Sequence, residues 1–182
     1  MESPSVHRTR RLATVAGLAA LLVLVPAAGA SAASATSQVQ VLDDCDPATF
    51  NAAIGPGTCV KDGGTTFSEF IAQLLAQGRA PAWRFAPEQL RLDAGGRLQA
   101  HNRGGEVHTF TEVANFGGGC IQALNDLLGL TPVPECAGFP GGAFAATAVA
   151  PGGTVTTAPL SPGVHRYECL IHPWMQTTAT VG

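Results

Sequence analysis

The chain is poor in charge and poorer still in positive charge: 13% of its 182 residues are charged, with 10 basic against 13 acidic, for a net −3. Without an excess of Lys and Arg there is no electrostatic footprint for the phosphate backbone, which excludes nucleic acid as a partner. The mildly acidic balance constrains any charged partner to complement it. There is one long apolar run, residues 12–25, shorter than the ~20 residues of a spanning helix. No second run follows, so no membrane span is expected in the mature chain. A C-x-x-C-H pattern is also missing, which excludes a c-type haem.

The apolar run belongs to an N-terminal address. His7-Arg8-Thr9-Arg10-Arg11 is basic, and Pro26 to Ala32 offers small residues in A-x-A spacing, so residues 1–32 read as a signal peptide and the protein as secreted, periplasmic or otherwise in the cell envelope. The Arg10-Arg11 pair also suits a twin-arginine route. Cleavage leaves 7 basic and 12 acidic residues, a net of −5. About 150 residues remain, enough for one domain with a proper core.

Five cysteines in an exported chain leave at least one outside an intramolecular bridge. Four cysteines allow three pairings, and locality favours Cys45 with Cys59 and Cys120 with Cys136. Cys169 is then the odd one. It opens Cys169-Leu170-Ile171-His172-Pro173-Trp174-Met175, a C-x-x-H-x-x-M loop that offers thiolate, imidazole and thioether to one ion. Soft sulfur with imidazole suits copper, and two His, one Cys and a weak axial Met form the blue-copper set. A thioether is a poor fourth ligand for structural zinc. The second imidazole is His108, in Gly104-Gly105-Glu106-Val107-His108-Thr109-Phe110, where a glycine turn enters a strand-like run.

The order Asn102…His108-Thr109-Phe110, then Gly163-Val164-His165-Arg166-Tyr167-Glu168-Cys169, then the C-x-x-H-P-W-M ending resembles the cupredoxin family over residues 80–182. The short ligand loop is similar to that of amicyanins. The resemblance implies one type 1 copper held by His108, Cys169 and His172 with Met175 axial, and a monomeric electron carrier, not an enzyme, that exchanges single electrons with a partner protein. It also implies that His172 turns a ring edge to solvent as the electron port, with Pro173 and Trp174 in an apolar patch. A copper-binding or delivery protein of the envelope, without a redox partner, is the alternative. Its mark would be Met- or His-rich tracts, and the chain holds 2 Met and 5 His. The same shortage of His disfavours a multicopper enzyme.

Short turn-bounded runs at 83–85, 89–92, 97–100, 107–113, 154–160 and 176–181 read as antiparallel strands. The expected fold is all-β, a Greek-key sandwich or barrel with small helical additions. One addition is residues 33–79, with a helix opening at Asp46-Pro47 and a second from the capping box Thr66 to Glu69, ending at Gly78. Phe67, Phe70, Ile71, Leu74 and Leu75 should be its buried stripe. The other is an insertion at about 115–142 with a helix at 121–128. If the strand runs straight on from His108, Asn115 starts that insertion about 23 Å from the metal. Asn102 and Thr109 are candidates to orient His108, although a hydroxyl at 109 reaches less far than an amide. His165 reads as a hydrogen-bonded residue at the sheet margin, and His7 and His101 as uninvolved.

Overall fold

The computed structural model describes residues 1–2 and 35–182, so the expected signal peptide falls almost wholly outside the described residues. No described helix is long and apolar enough to cross a membrane. The described residues 35–182 lie in one compact unit.

Alternation of side chains builds the sheets. In β1 (Thr36–Leu42), Val39 and Val41 point inward while Gln38 and Gln40 point out, the period-2 pattern of a half-buried strand. β2 (Arg84–Ala86) lies on one side of β1 and β4 (Arg97–Asn102) on the other, with β8 (Thr154–Thr156) beyond β4. The second sheet runs β3 (Gln89–Leu92), β10 (Gln176–Val181), β9 (Gly163–Glu168), β6 (Thr111–Val113). A two-stranded pairing of β5 (His108–Thr109) with β7 (Ala148–Val149) completes the framework. Val39, Val41, Phe85, Leu98 and Ala100 from the first sheet share one core with Tyr167, Ala179 and Val181 from the second. Phe110 stacks on Tyr167 at 4.4 Å between ring centroids.

The all-β sandwich with helical additions is therefore present, and four details differ from expectation. The sheets are mixed, since β1–β4 and β3–β10 are parallel; each parallel pair is joined by a long crossover that spends chain in other elements. β1, assigned to the 33–79 extension, is instead an inner strand of the first sheet; two buried valines were too little pattern to show it. The strand expected over 107–113 is divided at Phe110, where the chain leaves the β7 pairing for β9. The strand expected over 154–160 stops at Thr156.

The helices follow their caps. α1 (Pro47–Ala53) starts on Asp46, whose side chain accepts from the Thr49 amide at 2.8 Å. α2 (Phe67–Gln77) has the reciprocal Thr66–Glu69 box and ends at Gly78 with φ 67°, a conformation glycine adopts without a Cβ penalty. Its inner face carries Phe70 and Leu74, but Leu75 is 68% exposed, because it is turned ~100° beyond Leu74 around the axis. In the insertion, α3 (Gln122–Leu128) matches the expected helix, and α4 (Gly142–Thr147), rich in Ala and Gly, was not anticipated. The bridges are Cys45–Cys59 and Cys120–Cys136, with Cys169 free and buried.

Phe50 is fully buried, with Phe67, Phe70 and Trp83 rings at 5.4, 5.5 and 5.6 Å. Replacing it by Ala should lower stability by about 3–5 kcal/mol in urea unfolding. A loss under about 1 kcal/mol would show that this aromatic layer is not coupled to the sandwich.

Candidate metal centre

Two glycines let the loop before β5 sink into the protein. A Cβ on Gly104 would run into the Asp43 carboxylate, and one on Gly105 would sit 2.8 Å from Cys45 Sγ and 3.1 Å from Cys59 Sγ. With both side chains absent, Asp43 at the end of β1 reaches under the loop. It accepts from the Gly105 amide at 2.8 Å and the Glu106 amide at 3.1 Å. His108 follows with its side chain wholly buried.

Three donor atoms then face one another. His108 Nδ1 lies 3.7 Å from Cys169 Sγ, His172 Nδ1 lies 4.0 Å from the same sulfur, and the two nitrogens are 3.3 Å apart. The point equidistant from all three is about 2.1 Å from each, within the ~2.0–2.3 Å of nitrogen and thiolate bonds to a first-row metal. These three residues could thus hold a metal ion. Met175 is fully buried beside them. Its carbonyl accepts from the Cys169 amide at 3.1 Å, and its amide donates to the His172 carbonyl at 2.9 Å, which closes the C-x-x-H-x-x-M loop into a tight ring.

Each imidazole presents its other nitrogen to a carboxylate. His108 Nε2 donates to Asp43 Oδ2 at 2.7 Å, and His172 Nε2 lies 3.8 Å from Glu106 Oε2. The hydrogen bond to Asp43 leaves His108 Nδ1 for a metal, while Glu106 stands behind His172 beyond hydrogen-bond distance. Burial opposes charge on His108, but the hydrogen bond to Asp43 and the adjacent Cys169 outweigh it and push its pKa up to about 9. Burial likewise opposes ionisation of Cys169, yet the two histidines hold its pKa well below the usual thiol value. The thiolate is the form that binds metal.

Thr109 answers the question of reach: its hydroxyl accepts from the Leu170 amide at 2.8 Å, while its own amide points at Cys169 Sγ at 3.4 Å. The loop bearing His108 is thereby stitched to the Cys169 segment. Asn102 braces the same region, donating to the Glu106 and Val149 carbonyls at 2.7 and 2.8 Å and accepting from the Gly104 amide at 2.9 Å. His165 contacts Glu112 and the Ser161 carbonyl at the sheet margin, away from the donor triangle.

Two expectations are overturned. His172 does not turn an edge to solvent: it is 4% exposed, with Trp174 at 5.4 Å and Phe70 at 6.1 Å between ring centroids. α2, outside the stretch that carried the resemblance, supplies that cover. Nor does the insertion start far from the centre, because the chain doubles back after β6. The Gly117 amide donates to Glu168 Oε2 at 3.0 Å and the Cys120 amide to the Leu170 carbonyl at 2.6 Å. A Cβ at Gly119 would collide with that carbonyl, so glycine is what allows the approach. Asp43 and Glu106 were missed. Glu106 alternates with His108, a signal available in principle; Asp43 has no local signal, because only the β1–β4 pairing brings it close.

No protein-family model matches the chain, and no curated protein does. Among solved structures, it is similar to a purple cupredoxin from Nitrosopumilus maritimus at 13% identity, covering 80% of this chain and 99% of that one, with a TM-score of 0.40. It is similar to oxidised plastocyanin from Dryopteris crassirhizoma at 14% identity, covering 80% and 100%, with a TM-score of 0.39. A methionine-to-alanine mutant of amicyanin in the Cu(I) state is similar at 16% identity, covering 54% and 73%, with a TM-score of 0.35.

Asp43→Ala removes the acceptor for the His108 ring and for two loop amides. Metal affinity should fall 10- to 100-fold in a chelator competition titration, and an unchanged affinity would refute the orienting role. Thr109→Ala leaves the buried Leu170 amide without its acceptor and should cost about 1–3 kcal/mol of stability by urea unfolding.

Proposed function

We propose that this chain is an exported type 1 copper protein that carries single electrons, with His108, Cys169 and His172 as the strong ligands and Met175 as the axial contact. The observation that carries this reading is the convergence of a thiolate-poised sulfur and two imidazole Nδ1 atoms within 3.3–4.0 Å of one another. A thiolate with two imidazoles and a nearby thioether is a donor set suited to copper. Copper bound there supplies a one-electron couple, Cu(II) taking one electron to become Cu(I).

The surrounding residues do the rest. Asp43 orients the His108 ring, Glu106 lies behind His172, Thr109 and the Met175 main chain hold the cysteine segment, and β5 and β9 brace both sides. A donor set held this firmly changes little when the charge on the ion changes, which keeps reorganisation on electron transfer small. The packing of Phe70 and Trp174 against His172 leaves it only 4% exposed. It also works against ready exchange of the ion, which counts against a delivery role. The other close group of such side chains among the described residues is Asp43, Cys45 and Glu106. Its sulfur is in the Cys45–Cys59 bridge and its carboxylates stand behind the two rings, which fits a carrier better than an enzyme.

Adding Cu(II) to the purified protein should produce an intense visible thiolate-to-copper band that Cys169→Ala abolishes. Voltammetry should give a reversible one-electron wave, with slow copper loss to a chelator. A protein with no such band, or one that releases copper fast and shows no reversible wave, would overturn the carrier reading.

A further inference from the structure

Two carboxylates stand in the wall of the metal centre, one behind each imidazole. The Asp43 side chain is 1% exposed, and every hydrogen bond it makes is accepted. The Gly105 and Cys45 amides reach its Oδ1 at 2.8 and 3.4 Å, and the Glu106 amide and His108 Nε2 reach its Oδ2 at 3.1 and 2.7 Å. A carboxyl proton would have to point at one of these N–H groups, so the contacts select the carboxylate. The Glu106 side chain is 6% exposed. Its Oε2 accepts from Trp83 Nε1 at 2.5 Å and lies 3.8 Å from His172 Nε2, while solvent reaches its Oε1. Among the described residues, neither carboxylate is paired with Lys or Arg.

Charge of this kind has a definite sign of effect on a copper couple. The Cys169 thiolate and the two carboxylates bring three negative charges, so Cu(II) leaves the cluster singly negative and Cu(I) leaves it doubly negative. Holding charge away from water costs more the larger it is, and this largely dry interior therefore opposes reduction. A thiolate and two imidazoles alone would act the other way, because Cu(I) would leave them neutral. Soft sulfur donors favour Cu(I), and the carboxylates work against that preference. At an effective dielectric near 20, a unit charge ~7 Å from an ion changes its binding roughly 50-fold per unit of ionic charge, enough to compete with the choice of ligands.

We propose that Asp43 and Glu106 set the redox potential of the centre, their charge stabilising Cu(II) over Cu(I), so that the protein works as a low-potential one-electron carrier. The inference rests on the copper reading above and adds the direction in which these two residues move it. It also gives the carrier a place in electron flow. Cu(II) takes its electron from a strongly reducing one-electron donor, and Cu(I) passes that electron to acceptors that a centre without the carboxylates would leave oxidised.

Glu106→Gln keeps an acceptor for Trp83 Nε1 and removes the charge, and Asp43→Asn removes the charge behind His108. Voltammetry of the copper-loaded proteins and separate chelator competitions for Cu(II) and Cu(I) read the effect. Each variant should lose at least tenfold in the ratio of Cu(II) to Cu(I) affinity, which places its midpoint about 59 mV higher or more. A merely structural role would weaken both ions alike and leave the midpoint where it was. An unmoved or lowered midpoint in a variant that still binds copper would overturn the proposal. The two residues lie behind different rings, so a variant that fails to fold leaves the other decisive. The competition titrations need neither an intense visible band nor a reversible wave, so they weigh the carboxylates even where the carrier reading fails. A band and wave whose midpoint ignores both substitutions would sink this inference alone.

Discussion

The structure turns on keeping a cysteine sulfur ionisable in the middle of a protein. Burial alone drives a thiol toward its neutral form. Cys169 is fully buried, and what reverses the drive is two imidazoles within 4.0 Å. Those rings are buried too, and each needs a carboxylate behind it. The requirement thus spreads outward: from sulfur to His108 and His172, then to Asp43 and Glu106, then to the glycine pair that lets Asp43 under the loop and to the disulfide that lies against Gly105. A change at any layer leaves a charge or a donor stranded in a dry interior, where the cost is several times that of the same loss at the surface.

The helical segment after β1 takes part in this arrangement. α1 and α2 bring Phe50, Phe67 and Phe70 together with Trp83, and Phe70 continues the aromatic layer to Trp174 and His172. Trp83 Nε1 donates to Glu106, the same carboxylate that lies beside His172. The cover and the centre therefore share a residue. From the other side, the insertion delivers Cys120 to the Leu170 carbonyl and α3 to the wall of an apolar pocket beside His172. Both additions meet over the ligand loop, which explains why His172 is sheltered.

Local patterns carried well where the physics is local. The Thr66–Glu69 box and Gly78 bound α2, Asp46-Pro47 opened α1, and the short cysteine spacings matched the two bridges. They failed where a neighbour in space decided the outcome. β1 showed only Val39, Val41 and Leu42 as an apolar signal, yet it is an inner strand because β2 and β4 pair on either side of it. The run after His108 looked like one strand, but pairing partners change at Phe110, and the reversal after β6 undid the straight-line distance to the insertion.

By itself, the sequence determined the chemical kind of the centre. Sulfur, imidazole and thioether at two-residue gaps must share one short loop, an odd cysteine must stay unbridged among five, and both facts follow from covalent spacing and counting. Tertiary structure alone decided which carboxylates stand behind the histidines, how deeply His172 is buried, and that an apolar pocket opens beside it. Those features join residues 65 or more positions apart, as in Asp43 with His108 and Phe70 with His172. Their energies depend on which surfaces come together and lose water, a quantity no stretch of chain carries on its own.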